Sequence, residues 1–284
     1  MPRAICWFMS LVILILSWAG GMADLADQPR NRQSYIFDVK HVPLYDCEFA
    51  KMVATSFRLF KPTYMVFTFT QCHSGGMLDD LRERFDDTDN VALFSACRYD
   101  EEAVILNPKD IPELTYTTGY FDWLMCRSLA SLARGELSSL KEMVRHLLRQ
   151  WNPQQVGIEQ TFQWEFLGMG SQIRLDSDPE GRPIPPGRRF AILFVGQDPL
   201  DPDGEWALNE LQCIYEVLLN AGFLENNVFV LAGSRAGEIA FSDAPGTRES
   251  LRQIFSEVAT ACQGDAGFFF WSTGHGAESP VVRH

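Results

Sequence analysis

Short unbroken apolar runs alternate along this chain with longer stretches of helical spacing. Tyr64–Thr70, Val91–Cys97, Phe190–Val195, Val228–Leu231 and Gly267–Ser272 are rich in β-branched and aromatic residues and predict buried strands. Thr161–Leu167 predicts a further one. Apolar residues at helical intervals predict helices over Tyr45–Leu59, Gly119–Ala133, Leu137–Trp151, Trp206–Asn220 and Thr247–Ala261. Met77–Phe85 reads as a short acidic helix or loop. Continuous apolar strands separated by helices imply an α/β fold, a mostly parallel sheet covered on both faces. Ligands of such sheets collect at the carboxyl ends of the strands. Two segments unlike the rest, Gln71-Cys72-His73-Ser74-Gly75-Gly76 and Thr273-Gly274-His275-Gly276, fall at such ends.

The remaining stretches set the organisation. Residues 174–188 carry four prolines with Asp, Ser and Gly and predict a linker. Residues 24–34 are polar and are expected to be loose. At the amino terminus, Arg3 precedes an apolar run from Ala4 to Ala19, broken only by two serines, and Gly21-Met22-Ala23 supplies small residues for cleavage. Residues 1–23 are therefore expected to be a secretion signal, outside the fold. A retained membrane anchor is the competing reading, against which the run is short of the about 20 apolar residues that a span needs. The expected location is outside the cell or in the periplasm, with no stable membrane insertion once the signal is removed.

Composition narrows the function classes. The chain has 284 residues, 46% of them hydrophobic, and a net charge of −13. That is the make-up of a folded domain, and its acidity argues against nucleic acid as a partner. Seven cysteines occur, of which Cys6 lies in the expected signal. The rest are too sparse for a disulfide scaffold and lack zinc spacing. No phosphate loop or dinucleotide fingerprint is present. No cofactor follows from the residues, and a calcium requirement is not derivable from them.

The chemistry rests on Cys72 and His275. A thiolate nucleophile needs an exposed perch beside a proton donor for the leaving group. Cys72 directly follows a buried strand and precedes residues that let the backbone turn tightly. His275 follows another buried strand between two glycines, which admit a substrate to the imidazole and leave the Gly276 amide free to donate. Cys72-His-Ser74-Gly-Gly76 also approaches the nucleophile elbow of serine hydrolases, which would make Ser74 the nucleophile. Too few residues precede Ser74 to build the strands that such a fold places first. A phosphatase loop requires Arg at position 78, where Leu78 stands.

The segments ending in QCHSGG and FFFWSTGHG resemble the cysteine and histidine signatures of the caspase-like cysteine peptidases, a clan that includes caspases, legumain and clostripain, and are closest to metacaspase-type members. Phe190–Gly196 with the helix from Trp206 resembles the family's opening strand and first helix. Ala92–Cys97 and Thr118–Leu124 resemble the strand and helix beyond the cysteine. The order is inverted. In the family the histidine half comes first, whereas here residues 189–284 resemble that first half and 24–173 the second. The resemblance implies a circularly permuted caspase-like domain, with 174–188 bridging the original ends. Permutation is tolerated where termini lie close together at the surface.

What the resemblance implies for the site is a cysteine endopeptidase, monomeric, acting on a protein or peptide. Cys72 would be the nucleophile, His275 the general acid/base, and the amides of Gly276 and Cys72 the oxyanion hole. Metacaspase-type members bind a basic side chain before the scissile bond with carboxylates. One lies two residues before the cysteine, where this chain has Thr70. Another lies in the first helix, near Ile214. Thr70, Ser95, Asp100 and Asp198 are candidate substrate contacts, and Glu101, Asp201 and Asp203 are further acidic replacements. The missing carboxylate at Thr70 also motivates a second reading, a catalytically inactive binding or regulatory protein of the same fold.

Overall fold

The computed structural model describes residues 32–59, 61–153, 157–198, 204–235, 239–262 and 264–280. The expected signal at 1–23, Asp201 and Asp203 lie outside the described residues. In chain order the strands are β1 (Arg32–Phe37), β2 (Pro43–Tyr45), β3 (Tyr64–Phe69), β4 (Val91–Ser95), β5 (Ile105–Leu106), β6 (Thr118–Gly119), β7 (Gln163–Leu167), β8 (Arg189–Val195), β9 (Val228–Leu231), β10 (Gly267–Thr273) and β11 (Gly276–Pro280). The α-helices are α1 (Asp46–Ser56), α2 (Gly75–Arg82), α3 (Tyr120–Ala133), α4 (Leu140–Gln150), α5 (Glu205–Asn220) and α6 (Arg248–Ala261). Among the described residues no helix is long and apolar enough to cross a membrane.

Six strands form the main sheet in the order β7-β4-β3-β10-β8-β9. All neighbours run parallel except the edge pair β4 and β7. The expected α/β architecture with a mostly parallel sheet is therefore present. The alternation of side chains along each strand explains why the central strands are apolar throughout. Tyr64, Val66, Phe269, Trp271, Ala191 and Leu193 face a core built with α3, α4 and α5. Met65, Phe67, Phe268, Phe270, Ile192 and Phe194 face a second core built with α1, α2 and α6. Phe49 packs on Phe69, Phe255 and Phe270 in that second core, with ring centroids 4.9–5.7 Å apart.

Two expectations change. The stretch expected to be loose runs into β1, which pairs antiparallel with β11 and β2 in a separate three-stranded sheet. Its ladder supplies the backbone partners that a polar sequence does not advertise, and the Asp46 carboxylate also accepts the Ser34 amide at 2.7 Å. The proline-rich segment 174–188 is docked rather than slack. Leu175 and Ile184 are buried, and the Arg189 guanidinium donates to the carbonyls of Asp176, Ile184 and Ala221.

Candidate active site

The central strands β3 and β10 are parallel neighbours in which Phe69 pairs with Ser272. Cys72 lies three residues beyond Phe69, and His275 three residues beyond Ser272. Two side chains 203 positions apart in sequence thus leave the sheet at the same level and the same end. Both line one open cleft, together with Thr70, Gly119, Asp122, Trp206 and Glu210.

Each half is held by its local backbone. Beyond β3 the chain turns through His73, whose φ of 58° lies in the left-handed region. That turn is fixed by the His73 amide donating to the Glu101 carbonyl at 2.9 Å, and by Nδ1 lying 2.7 Å from the Tyr99 carbonyl. Cys72 is half-buried, and its Sγ lies 3.8 Å from the Ala103 carbonyl oxygen. Burial raises the thiol pKa above its ordinary value; the Ala103 contact opposes this, and the nearby Glu102 charge adds to it. His275 is exposed, with Trp206 edge-on at 6.4 Å between ring centroids. Its carbonyl accepts the Phe37 amide at 3.1 Å, so β1 fastens the histidine turn. A Cβ on Gly276 would stand 2.1 Å from the Cys72 carbonyl oxygen. Only glycine lets the backbone that follows His275 come this close to Cys72.

The other expected contacts are distributed unevenly. Thr70 lines the cleft, and its hydroxyl donates to the Ser272 carbonyl at 3.1 Å. Ser95 is buried and donates to the Cys97 carbonyl at 3.1 Å. Asp100 pairs with Arg98 at 3.1 Å on the surface, and Glu101 accepts from Thr161 and from the Arg98 amide. Asp198 is half-buried in the loop after β8. Ser74 is fully buried at the start of α2, with its hydroxyl 3.6 Å from the Cys97 sulfur.

The floor of the cleft holds two acids that the sequence reading did not single out. Asp122 comes from α3 and Glu210 from α5, at 3% and 1% exposure. Both carboxylates crowd Gly119: a Cβ there would lie 2.7 Å from one Asp122 oxygen and 3.0 Å from one Glu210 oxygen. Glu210 accepts the Gly119 amide and the Thr273 hydroxyl, each at 2.6 Å. Asp122 accepts the Trp271 indole N–H at 3.3 Å and also bonds the Thr70 side chain. Burial raises Glu210 to about 7 against those bonds. Burial first, and then the Glu210 charge, push Asp122 well above the carboxylate range. Burial, and for Asp122 the neighbouring Glu210 charge, therefore favour the protonated form of both carboxyls. Glu210 stands one helical turn before Ile214, the neighbourhood in which the resemblance puts a carboxylate. The signal was available: positions 207, 210, 211, 214 and 218 form one helical stripe, and Glu210 is the charged member of an otherwise apolar face.

A second acidic group lies outside the cleft. Asp46, Cys47 and Asp80 bring ligand atoms within 4.8 Å of one another. Burial and the neighbouring Asp80 raise Asp46 to about 8. A scan against family models finds no match, and comparison with curated proteins and with solved structures finds none either.

Proposed function

We propose that this protein is a cysteine endopeptidase of circularly permuted caspase-like fold that cleaves after a cationic side chain. The observation that carries the reading is the emergence of Cys72 and His275 at one level from adjacent parallel strands, above a floor formed by Asp122 and Glu210. The strand order supports the permuted fold. Numbered from β8, the sheet reads second, first, third, fourth, fifth, sixth, with the last strand antiparallel. In this numbering the histidine follows the third strand and the cysteine the fourth, so the histidine half comes first, as the permuted reading requires.

In this reading the half-buried thiol stays protonated until His275 takes its proton. The sulfur then attacks the peptide carbonyl, and the oxyanion receives the amides of Cys72 and Gly276. The imidazolium gives its proton to the departing amine, whose C–N bond breaks to leave a thioester. Water hydrolyses the thioester, with His275 accepting one of its protons and returning it to sulfur. A lysine or arginine entering the cleft would favour the ionised form of both carboxyls, which then face the cation. Asp122, bonded to Thr70, supplies the acid that position 70 lacks.

Profiling a mixed peptide library with the wild type beside Cys72→Ala tests this directly. The expected result is cleavage after Lys or Arg that the substitution abolishes. Activity surviving in Cys72→Ala would refute the assignment, and labelling by a fluorophosphonate would redirect it to Ser74. Binding of basic peptides without cleavage would make the protein a regulatory relative of such enzymes.

A further inference from the structure

One helical turn beyond Asp122 on α3 is Cys126, and one turn beyond Glu210 on α5 is Cys213. The two helices pack side by side on the same face of the sheet. Asp122 and Glu210, one turn earlier, both approach Gly119, which sets the two helices in register and puts the two thiols on neighbouring helices against one core. Each thiol bears on the other's ionisation, and Tyr116 acts on Cys213 as well. Both stand as free thiols, Cys126 buried and Cys213 half-buried. We propose that Cys126 and Cys213 are a redox couple, whose disulfide clamps α3 to α5 next to the acids on the cleft floor and joins the two halves of the chain across segment 174–188.

The arrangement assigns the two sulfurs different parts. Cys213 is the one that solvent reaches, and donors on two sides favour its thiolate, so its pKa is lowered. Cys126 is sealed and keeps its proton. With a small-molecule disulfide such as oxidised glutathione as oxidant, the Cys213 thiolate attacks one sulfur of the reagent. The reagent's S–S bond breaks, one glutathione thiol leaves, and Cys213 carries a mixed disulfide. Cys126 then loses its proton to water and attacks the Cys213 sulfur, expelling the second glutathione thiol. The protein gives up two electrons and two protons, and the reagent takes them up as two thiols. The helices already pack on each other, so closure draws together two neighbouring elements and needs no change of fold. Neither the bond nor its test depends on the hydrolytic reading.

The test treats the full chain with oxidised glutathione, alkylates remaining thiols, digests, and maps the peptides by mass spectrometry. The expected product is one peptide pair joined through Cys126 and Cys213, two hydrogens lighter than the separate peptides and released by dithiothreitol. The melting temperature should rise by about 5 °C on oxidation. Cys213→Ser should remove that rise, and Cys126→Ser should trap glutathione on Cys213. Recovery of both cysteines as alkylated thiols, a wild type that stops at the mixed disulfide, pairing of either one with another cysteine, or an unchanged melting temperature would overturn the proposal.

Discussion

Replacing Glu210 by Gln separates the energetic role of this residue from its chemical one, because the two should move in opposite directions. Glutamine keeps the shape, accepts the Gly119 amide as before, and can present its amino group to the Thr273 hydroxyl, which can turn to accept. What is lost is the charge. Burial lifts Glu210 from an ordinary value of 4.5 to about 7. That gap is two and a half powers of ten in proton affinity, or about 3 kcal/mol at about 1.4 kcal/mol each. The sign follows from linkage. A carboxyl whose folded pKa is raised contributes fully below its unfolded value, and that contribution is lost as pH rises through about 7. Glu210→Gln should therefore leave stability unchanged near pH 4 and gain up to about 3 kcal/mol above pH 8, read by urea unfolding at both pH values. On substrates with Arg before the scissile bond it should lose about 2–4 kcal/mol of transition-state binding, about 30- to 1000-fold in kcat/KM, from one charge at about 4 Å in a medium of effective dielectric about 20. A variant less stable than the wild type at pH 8 would refute the burial argument. Equal losses on Arg and on neutral substrates would refute the assignment of the floor as the cation site.

Burial holds Glu210 at about 7, so kcat/KM for Arg substrates relative to neutral ones should rise between pH 5 and about 8 in the wild type and in Asp122→Asn, and Glu210→Gln should flatten that relative rise; an unchanged profile in Glu210→Gln would count against Glu210 as the titrating group. Gly276→Ala should fold but lose at least about 100-fold in activity, because the added carbon meets the Cys72 carbonyl at 2.1 Å and must push the histidine turn away from the thiol. Wild-type turnover in that variant would disprove the close approach. Thr247→Ala removes the side-chain cap that accepts the Ser250 amide at 3.2 Å and should cost about 1 kcal/mol, seen as a melting temperature lower by about 2–4 °C with activity unchanged.

The main sheet was legible because its strands are buried on both faces. Tyr64–Phe69, Val91–Ser95 and Gly267–Thr273 need apolar residues at every position or nearly so, and such runs stand out in any sequence. β1, β2 and β11 were not legible. Sequences such as Arg32–Phe37 and Gly276–Pro280 mix polar and apolar residues without a clean period, and β1 and β11 owe their form to each other across more than two hundred residues. The prolines of 174–188 marked the break in regular structure correctly, but not the burial of Ile184 or the grip of Arg189 on the segment. At the site, Cys72 and His275 were visible through their glycine-rich surroundings. Asp122 and Glu210 were hidden because an acid in a helix is ordinarily a solvated residue, and only the register of the buried stripe tells these two apart. The surface acids favoured instead, such as Asp100, have their own local partners.

The pairing of β3 with β10 has a consequence for synthesis. β3 is complete by residue 69, while its central neighbour is not made until residue 273. A ribosome must add about two hundred residues between them, a wait of roughly 10–40 s at 5–20 residues per second. Throughout that interval the nascent polypeptide carries its sulfur with no imidazole opposite and no wall to hold a peptide. Whatever the cleft does to other chains, it gains the means only once residue 275 has been added.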